Sequence, residues 1–422
     1  MEQFQLEDLI ITPEKKGADK YAKISYPLRF GVFSEIRNSS YTYQFNLNGE
    51  IRTIQGRGEG WLDAAEWLKR TIGDDWVYFS AGGYTGAYDF TGEYYVPCLP
   101  YDSNTVYGNG RFESSEVVNA FALWDQLQKR LASLDLTSLP SDSASCIRRI
   151  IDKSPVVLKD RAERFHRIIG GPVTVLPPDT RHVEYDVIPI NIADGCLYHC
   201  GFCRVKSSTG YKVHSENDII AQIEQLKEFL GQDLINYNSV FLGQHDALNA
   251  GEDVIGWTAC KAFESLNLGL AYMKEPRLFM FGSVDSLLNA NDSLFKSLNR
   301  LPYQTYINIG LESADAKTLS VLKKPLNPEK VTEAFNQLMA VNHQYNNIEI
   351  TANFVYGTDL PETHLPSILG LTRHQLNRSC SKGTIYISPL ENSGTKQELL
   401  SKFIEFKKLC RLPVYIYLIQ RL

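Results

Sequence analysis

The chain has 422 residues, of which 43% are hydrophobic and 22% charged, and its formal net charge is −6. This balance is typical of a globular protein with enough apolar material for a sizeable core. The negative charge argues against bulk nucleic acid as the main partner, because proteins that bind it usually present a basic face. No run of about 18 apolar residues is present, and the N-terminus lacks the apolar stretch of a signal peptide. We therefore expect a cytoplasmic chain without a membrane partner.

The first part of the chain, residues 1–180, is expected to form an α+β domain. Alternating apolar and polar residues flank Asn48-Gly49, a pair that favours a type I′ hairpin because both residues accept a positive φ. Helical periodicity follows at 114–134 and at about 144–170. Nothing in this part indicates a known activity, and we assign it a role in substrate recognition as a hypothesis.

A glycine- and proline-rich stretch at 170–181 separates this domain from a second one, 181–422. Strand-like segments alternate there with helical periodicity, which predicts a parallel sheet. Six strand–helix units are too few for an eight-unit barrel, so we expect an α/β fold with a partial, open (β/α)6 barrel and ligands at the C-terminal strand ends. The predicted strands are 186–193, 239–245, 277–284, 305–313, 348–357 and 384–390, and 413–419 is a candidate for a seventh. The predicted helices are 216–230, 253–266, 285–299, 315–323, 328–343, 362–376 and 396–410.

Three of the eight cysteines fall within eight residues, directly after the first strand of this second domain. Cys196, Cys200 and Cys203 have the spacing C-x3-C-x2-C, which allows three thiolates to reach separate corners of a cubane cluster. The fourth iron then has no protein ligand, and an open metal position is what inner-sphere chemistry requires. Two alternatives remain open: a zinc site that adds His199 or His214, and a cluster that only carries electrons or senses them.

The triplet, with Phe202 directly before its last cysteine, resembles the signature of the radical S-adenosylmethionine (SAM) superfamily. The resemblance implies one [4Fe–4S] cluster whose open iron binds the amino and carboxylate groups of SAM. Reduction of the cluster then cleaves the sulfonium bond, and the resulting 5′-deoxyadenosyl radical takes a hydrogen atom from the substrate. The resemblance also implies an external one-electron donor of the flavodoxin or ferredoxin type.

Four later segments resemble the remaining SAM-binding segments of one subgroup, shared by coproporphyrinogen-dehydrogenase-like and tRNA methylthiotransferase-like enzymes. The segment 310–313, Gly-Leu-Glu-Ser, matches the family, so Glu312 is expected to bind the ribose hydroxyls or the ammonium of SAM. The stretch FLGQHDAL departs from the family's Gly-Gly-Glu region: only Gly243 is kept, and Asp246 becomes the expected acceptor for the ammonium. The residues that the resemblance assigns to SAM are Phe202, Gly243, Gln244, Asp246, Ser283, Asp285, Glu312, Lys324 and Asn353.

Several of these residues have a second interpretation. Lys324 is expected to pair with the SAM carboxylate, although a surface lysine is the alternative. Asp285 fits either the SAM pocket or the N-cap of the following helix. His245 and Tyr198 are candidates for an acid/base group or a second hydrogen-atom donor, and the sequence does not choose between them.

The resemblance indicates an enzyme that acts on a small molecule or a peptide. The alternatives are a radical SAM enzyme that modifies RNA and a non-catalytic iron–sulfur sensor or scaffold. The Asp-x-His-x-x-Gly turn typical of cobalamin binding is absent, so no cobalamin is expected. Cys260, Cys380 and Cys410 lack the clustered spacing of an auxiliary cluster, and we interpret them as core thiols.

Overall fold

The structure is a computed structural model of the chain. Its described part forms one antiparallel sheet, one parallel sheet and a two-stranded hairpin. The described residues are 3–21, 29–58, 61, 66–80, 96–99, 101, 104, 109–137, 139–203, 205, 210–243, 245–374 and 382–422.

The N-terminal sheet is an eight-stranded antiparallel meander whose strands follow chain order. Side chains alternate between its two faces, because successive residues of a strand point in opposite directions. Leu68 and Tyr78 pack with the N-terminal helices, whereas Trp67, Val77 and Phe79 join the core of the parallel sheet. The strands are β1 Phe4–Leu6, β2 Leu9–Lys16, β3 Val32–Arg37, β4 Tyr41–Phe45, β5 Ile51–Gly56, β6 Glu66–Arg70, β7 Trp76–Ser80 and β8 Val96–Cys98.

The predicted hairpin is present between β4 and β5, but the prediction of a type I′ turn was wrong. Gly49 has a φ of 84°, whereas Asn48 does not take a positive φ, and Gly49 N donates to Asn46 O (3.0 Å). The Asn46 side chain bends the turn instead, because its Oδ1 accepts from Asn48 N (3.1 Å) and Glu50 N (2.9 Å). The resulting turn directs Asn48 Nδ2 to Leu230 O (2.8 Å) in the second part of the chain.

Three helices cover the outer face of this sheet. The first, α1 Ser115–Ser133, begins at the predicted cap, because Ser114 accepts from Val117 N. The periodic stretch 144–170 is not continuous: it contains α2 Ser141–Ile151 and α3 Pro155–Ile169. The break has a local cause, since Pro155 has no N–H to continue the preceding helix and suits a first helical position.

The second part of the chain contains a seven-stranded sheet in the order β17-β16-β15-β14-β13-β12-β9, and all its neighbouring strands are parallel. The predicted partial barrel is confirmed, and the candidate seventh strand is present. The strands are β9 Ile188–Ile190, β12 Val240–Leu242, β13 Arg277–Gly282, β14 Gln304–Glu312, β15 Ile348–Tyr356, β16 Ile385–Pro389 and β17 Val414–Ile416. A hairpin of β10 Ala193–Asp194 and β11 Lys212–Val213 follows β9.

Helices lie between these strands along the chain. The predicted helix 285–299 is divided, because Asn291 takes an extended backbone as the N-cap of a second helix. The predicted helix 362–376 is regular only to residue 369, after which Gly370–His374 forms a π turn. The helices are α4 Glu216–Leu230, α5 Gly251–Ser265, α6 Val284–Asn289, α7 Asp292–Arg300, α8 Ala316–Val321, α9 Pro328–Gln344, α10 His364–Leu369 and α11 Lys396–Leu409.

Two further expectations concern membranes and cysteines. Every helix in the ranges given above is too short or too polar to cross a bilayer. The interpretation of Cys260 as a core thiol was wrong: it is exposed, because α5 turns Ile255 and Ala259 inward instead. Cys410 is partly buried, and Cys380 lies outside the described residues.

Candidate active site

The cysteine triplet lies on the loop that joins β10 to β11. Gly195 begins this loop with a φ of 79°, a conformation that glycine adopts without strain. Cys200 is buried, Cys196 and Cys203 are half-buried, and all three line one cavity of about 670 Å³. Burial raises the pKa of Cys196, and it raises the pKa of Cys200 to about 11. A metal centre binds thiolates, so its binding would have to offset the cost of ionising these buried thiols.

The zinc alternative finds no support in the geometry. Within the described ranges, no three or more His, Cys, Asp or Glu side chains converge as a single metal ion requires. His214, one of the two proposed zinc ligands, is paired instead with Asp194 (Nε2 to Oδ2, 2.8 Å). A polynuclear cluster does not require such convergence, because each thiolate binds its own iron.

The end of β12 contributes the next group of predicted residues. Gly243 has a φ of 70°, and a Cβ there would lie 3.0 Å from Asn191 Oδ1. His245 and Asp246 both line the cavity, whereas Gln244 lies outside the described residues. Burial lowers the pKa of His245, and its Nδ1 has no hydrogen-bond partner. The chain thus turns back at Gly243 and presents two titratable side chains to the cavity.

Asp246 is 3% exposed, and its two oxygens differ. Oδ1 accepts from Ser283 N (2.9 Å) and Ser286 Oγ (2.7 Å), whereas buried Oδ2 has no hydrogen-bond partner. Burial raises the pKa of Asp246, although the two serines oppose this effect. A buried carboxylate oxygen without a donor is costly, so a ligand that supplies an N–H group would relieve that cost.

The end of β13 separates the two interpretations of Asp285. Ser283 is the N-cap of α6, since its Oγ accepts from Ser286 N (3.0 Å), so Asp285 is not the cap. Asp285 instead accepts from Tyr198 OH (2.6 Å) and forms an ion pair with Lys330. Ser283 and Tyr198 line the cavity. Asp285 thus does not line the cavity itself, but it binds Tyr198, which does.

The end of β14 places a buried ion pair in the cavity wall. Strand pairing shifts between Gly310 and Glu312, and Glu312 has a φ of 63°, so a bulge directs this side chain inward. Lys324 Nζ donates to Glu312 Oε1 (3.2 Å) and to Gly310 O (2.7 Å). A Cβ on Gly310 would lie 2.4 Å from Glu312 Oε1, so a larger residue there would displace the Glu312 carboxylate.

Lys324 is therefore not a surface lysine, since only 8% of it is exposed. Burial alone would lower the pKa of Lys324, but Glu312 and the Cys200 thiol outweigh burial and raise it. Its ammonium also lies 5.3 Å from the centre of the Tyr198 ring. The lysine thus remains charged and joins the cysteine loop to the end of β14.

Two adjacent strands add the remaining polar groups of the wall. Asn353 Nδ2 donates to Glu312 Oε2 (3.3 Å), and Ser388 Oγ donates to Asn353 Oδ1 (2.9 Å). Sequence reasoning missed Ser388 and Asn308, which also line the cavity. Their positions follow an available signal, because residues at alternate positions of a parallel strand face the same side.

The comparisons with known proteins agree with this geometry. Residues 190–369 match the family model described as the Radical SAM superfamily. No protein of curated function matches the sequence. The narrower subgroup suggested by the strand-end segments stays a prediction.

Solved structures give distant likenesses. A radical SAM methyltransferase from Sphaerobacter thermophilus is 11% identical with a TM-score of 0.35, over 55% of this chain and 65% of that one. SuiB from Streptococcus suis is 10% identical with a TM-score of 0.37, over 84% and 72%. Methylornithine synthase (PylB) is 10% identical with a TM-score of 0.33, over 75% and 85%. The chain thus spans less than two thirds of the methyltransferase, and TM-scores this low support no argument about activity. Residues 190–369 thus match a radical SAM superfamily domain, which is the part of the chain that carries the cysteine loop and the cavity.

Proposed function

We propose that the chain binds one [4Fe–4S] cluster through Cys196, Cys200 and Cys203, and that it uses SAM to start a radical reaction. When bound, the cluster and SAM together supply a one-electron cleavage of the sulfonium bond and a carbon-centred radical that takes a hydrogen atom from the substrate. The substrate is a small molecule or a peptide. The observation that carries the proposal is the single cavity that the three thiols share with Asp246, Glu312 and Lys324.

The donor set of the cavity fits these groups. Three thiols on one loop provide three separate sulfur ligands, and the described residues place no fourth cysteine in the wall. The unpartnered Oδ2 of Asp246 is suited to the ammonium group of SAM. We propose that Asp246 binds this ammonium, with Ser283 N and Ser286 Oγ orienting the carboxylate from the other side.

The ion pair at the end of β14 is proposed to bind the rest of SAM. Lys324 is placed to attract the carboxylate, and Glu312 to accept from ribose hydroxyls. Asn353 orients Glu312 through its amide. The same proposal places Phe202 and Ser283, which line the cavity, against the cofactor. Gly243 and Asp285 support the wall from outside the lining, and Gln244, which lies outside the described residues, stays a prediction.

The two candidate catalytic residues differ in how much freedom they have. Tyr198 OH donates to Asp285 and accepts from its backbone N–H (3.1 Å), so its hydroxyl is fully engaged. His245 has an unpartnered Nδ1, and burial favours its neutral form. We propose that His245 exchanges a proton with the substrate and that Tyr198 positions the cysteine loop.

The proposal extends to the whole chain. Residues 181–422 are the catalytic domain, and residues 1–180 help select the substrate. An enzyme of this superfamily needs an external electron source, which we propose is a flavodoxin or ferredoxin type of donor in the cytoplasm. We propose that neither cobalamin nor a second cluster takes part.

The test is anaerobic purification, reconstitution with iron and sulfide, and incubation with SAM and dithionite. We expect wild type to release at least one equivalent of 5′-deoxyadenosine. Cys200→Ala should lose the cluster absorbance and the product, whereas Cys260→Ala, a change at an exposed thiol outside the cavity, should keep both. A chain that holds four irons and never cleaves SAM would instead be a sensor or a scaffold.

A further inference from the structure

The end of β14 has a backbone conformation that is unfavourable by itself. Ser313 N donates to Leu311 O (2.8 Å) across Glu312, whose φ is 63°. A three-residue turn with a positive φ at its central residue is the rare and strained form of the γ-turn. A residue other than glycine keeps such a conformation only where neighbouring groups hold it. The contacts that hold this turn therefore decide where the Glu312 carboxylate lies.

A buried histidine joins this turn to the next strand. His364 Nδ1 lies 2.8 Å from Ser313 Oγ, and His364 Nε2 lies 2.8 Å from Val355 O. Glu312 and Phe354 form the last pair of the ladder between β14 and β15. Ser313 and Val355 are the residues that directly follow this pair. The imidazole thus continues the contact between the two strands at the point where their ladder ends.

The partners of the imidazole fix its tautomer. Val355 O can only accept, so Nε2 carries the proton and donates to it. Nδ1 then accepts from the Ser313 hydroxyl, whose oxygen in turn accepts from Asp315 N (3.0 Å). Only 2% of His364 is exposed, and burial lowers its pKa, although Val355 O and the Asp315 carboxylate oppose this effect. The ring is therefore neutral, and each donor in this chain of contacts has an acceptor.

We propose that His364 is a positioning residue for the SAM site: its imidazole holds Ser313 and thereby fixes the Glu312 carboxylate in the cavity wall. This inference rests on the proposed function, because Glu312 is the group proposed to bind the ribose of SAM. His364 and Ser313 lie outside the cavity lining, whereas Glu312 is part of it. The effect on SAM is therefore transmitted through the backbone of β14, and the contact with Ser313 matters more than the contact with Val355 O.

Two substitutions separate the two contacts of the ring. His364→Asn keeps an acceptor at the position of Nδ1, whereas His364→Gln keeps a donor at the position of Nε2. We expect the Kd of SAM for the reconstituted protein, measured by equilibrium dialysis, to rise at least tenfold in His364→Gln. In His364→Asn it should stay within about threefold of wild type. A histidine that only stabilises the fold would give the two variants the same Kd, and that result overturns the proposal.

A serine variant tests the other end of the same contact. Ser313→Ala leaves the histidine in place and should also raise the Kd of SAM at least tenfold. Ser34→Ala is the matched control, because Ser34 is buried as well and its hydroxyl donates to Pro13 O (2.6 Å) in the N-terminal sheet. It loses a buried hydrogen bond and should bind SAM as wild type does. If Ser313→Ala keeps the wild-type Kd, the hydroxyl does not position Glu312 and the proposal fails.

The nitrogen NMR spectrum of the ring tests the contact without cluster or SAM. In the wild-type chain labelled with 15N-histidine, long-range correlations between ring nitrogens and ring protons show which nitrogen carries the proton. The signal that disappears in His364→Asn and in His364→Gln belongs to His364. We expect a neutral ring with its proton on Nε2 at neutral pH. A proton on Nδ1, or on both nitrogens, would leave the Ser313 hydroxyl without its acceptor and overturns the proposal.

The two proposals fail separately. Release of 5′-deoxyadenosine by the reconstituted wild type tests the proposed function and involves no change at His364 or Ser313. If wild type cleaves SAM and all the variants bind SAM as it does, the radical chemistry stands and the positioning role is wrong. If wild type neither binds nor cleaves SAM, the proposed function is wrong, and the positioning role is wrong with it whatever the ring spectrum shows.

Discussion

Two buried aspartates, one where the antiparallel sheet meets the barrel and one in the cavity wall, show how the regions use charge differently. Asp186 is bound on both oxygens, by Lys69 (2.9 Å) and by Arg52 (2.8 Å). Asp246 is bound on one oxygen only, and the other has no partner. Burial alone would raise the pKa of Asp186, but the two cations hold it below its ordinary value, whereas burial prevails and raises the pKa of Asp246. Asp186 is thus paired on both oxygens, whereas Asp246 keeps one buried oxygen without a hydrogen-bond partner.

The largest effect on stability is expected at Asp186, which is paired on both oxygens. Asp186→Asn should lower the free energy of unfolding by about 3–5 kcal/mol, because it removes the carboxylate that buried Lys69 and Arg52 both bind. Urea denaturation followed by fluorescence measures this loss. Glu405→Gln, which removes an exposed pair with Lys402, is the control and should change stability little. Equal costs for the two variants would mean that the buried network contributes no more than a surface pair.

A smaller effect on stability is expected at Asp179, which lies just before the first strand of the parallel sheet. Burial raises the pKa of Asp179 to about 7, while its carboxylate accepts from Tyr386 OH (2.8 Å) and Thr351 Oγ1 (2.8 Å). The folded-state pKa lies above the unfolded value of about 3.9, so the stability from the bound proton is lost as pH rises from about 4 to about 7. Between pH 5 and pH 8, Asp179→Asn should therefore gain about 3 kcal/mol of unfolding free energy relative to wild type. Urea titrations at the two pH values test this, and a constant difference would contradict the raised pKa.

Asp246→Asn should not destabilise the fold, in contrast to Asp186→Asn. A raised pKa means that folding disfavours the carboxylate at neutral pH, so the amide should leave stability unchanged or increase it by about 1 kcal/mol. Asparagine keeps an oxygen for Ser283 and Ser286 but cannot offer an anion to an ammonium. We expect SAM affinity of the reconstituted protein to fall at least tenfold, measured by equilibrium binding. Wild-type affinity would remove Asp246 from the proposed SAM site.

The smallest effect is expected at Tyr198. Tyr198→Phe removes the hydroxyl that binds Asp285 and should cost about 1 kcal/mol of stability. The ring that contacts Lys324 stays, so release of 5′-deoxyadenosine should remain within about threefold of wild type. A loss of product with an intact cluster spectrum would instead give Tyr198 a direct role in the reaction.

The alternation of strands and helices, the cysteine loop and the position of Glu312 at a strand end could be predicted because they depend on local patterns. Alternation of apolar strands with periodic helices indicates a parallel sheet, and C-x3-C-x2-C places three thiols on one loop whatever surrounds it. The two wrong predictions, the type I′ turn at Asn48-Gly49 and the core position of Cys260, also concern short segments, but their outcome depends on neighbouring residues. The turn at Asn48 depends on the Asn46 side chain, which accepts from Asn48 N and Glu50 N, and exposure of Cys260 depends on which face of α5 meets the core.

The sequence by itself indicated the superfamily resemblance, the cysteine loop and the strand ends that line the cavity, because those are properties of short segments. Tertiary structure decided which polar atoms are satisfied. Lys324 and Glu312 are twelve positions apart, and only the bulge in β14 brings them together. The chain just before β9 also meets the chain just after β17, where Leu176 N donates to Gln420 O (2.7 Å), and the sequence gives no sign of a contact between such distant residues. Burial and partner choice are properties of the packed chain, since the cost of a charge depends on everything that surrounds it.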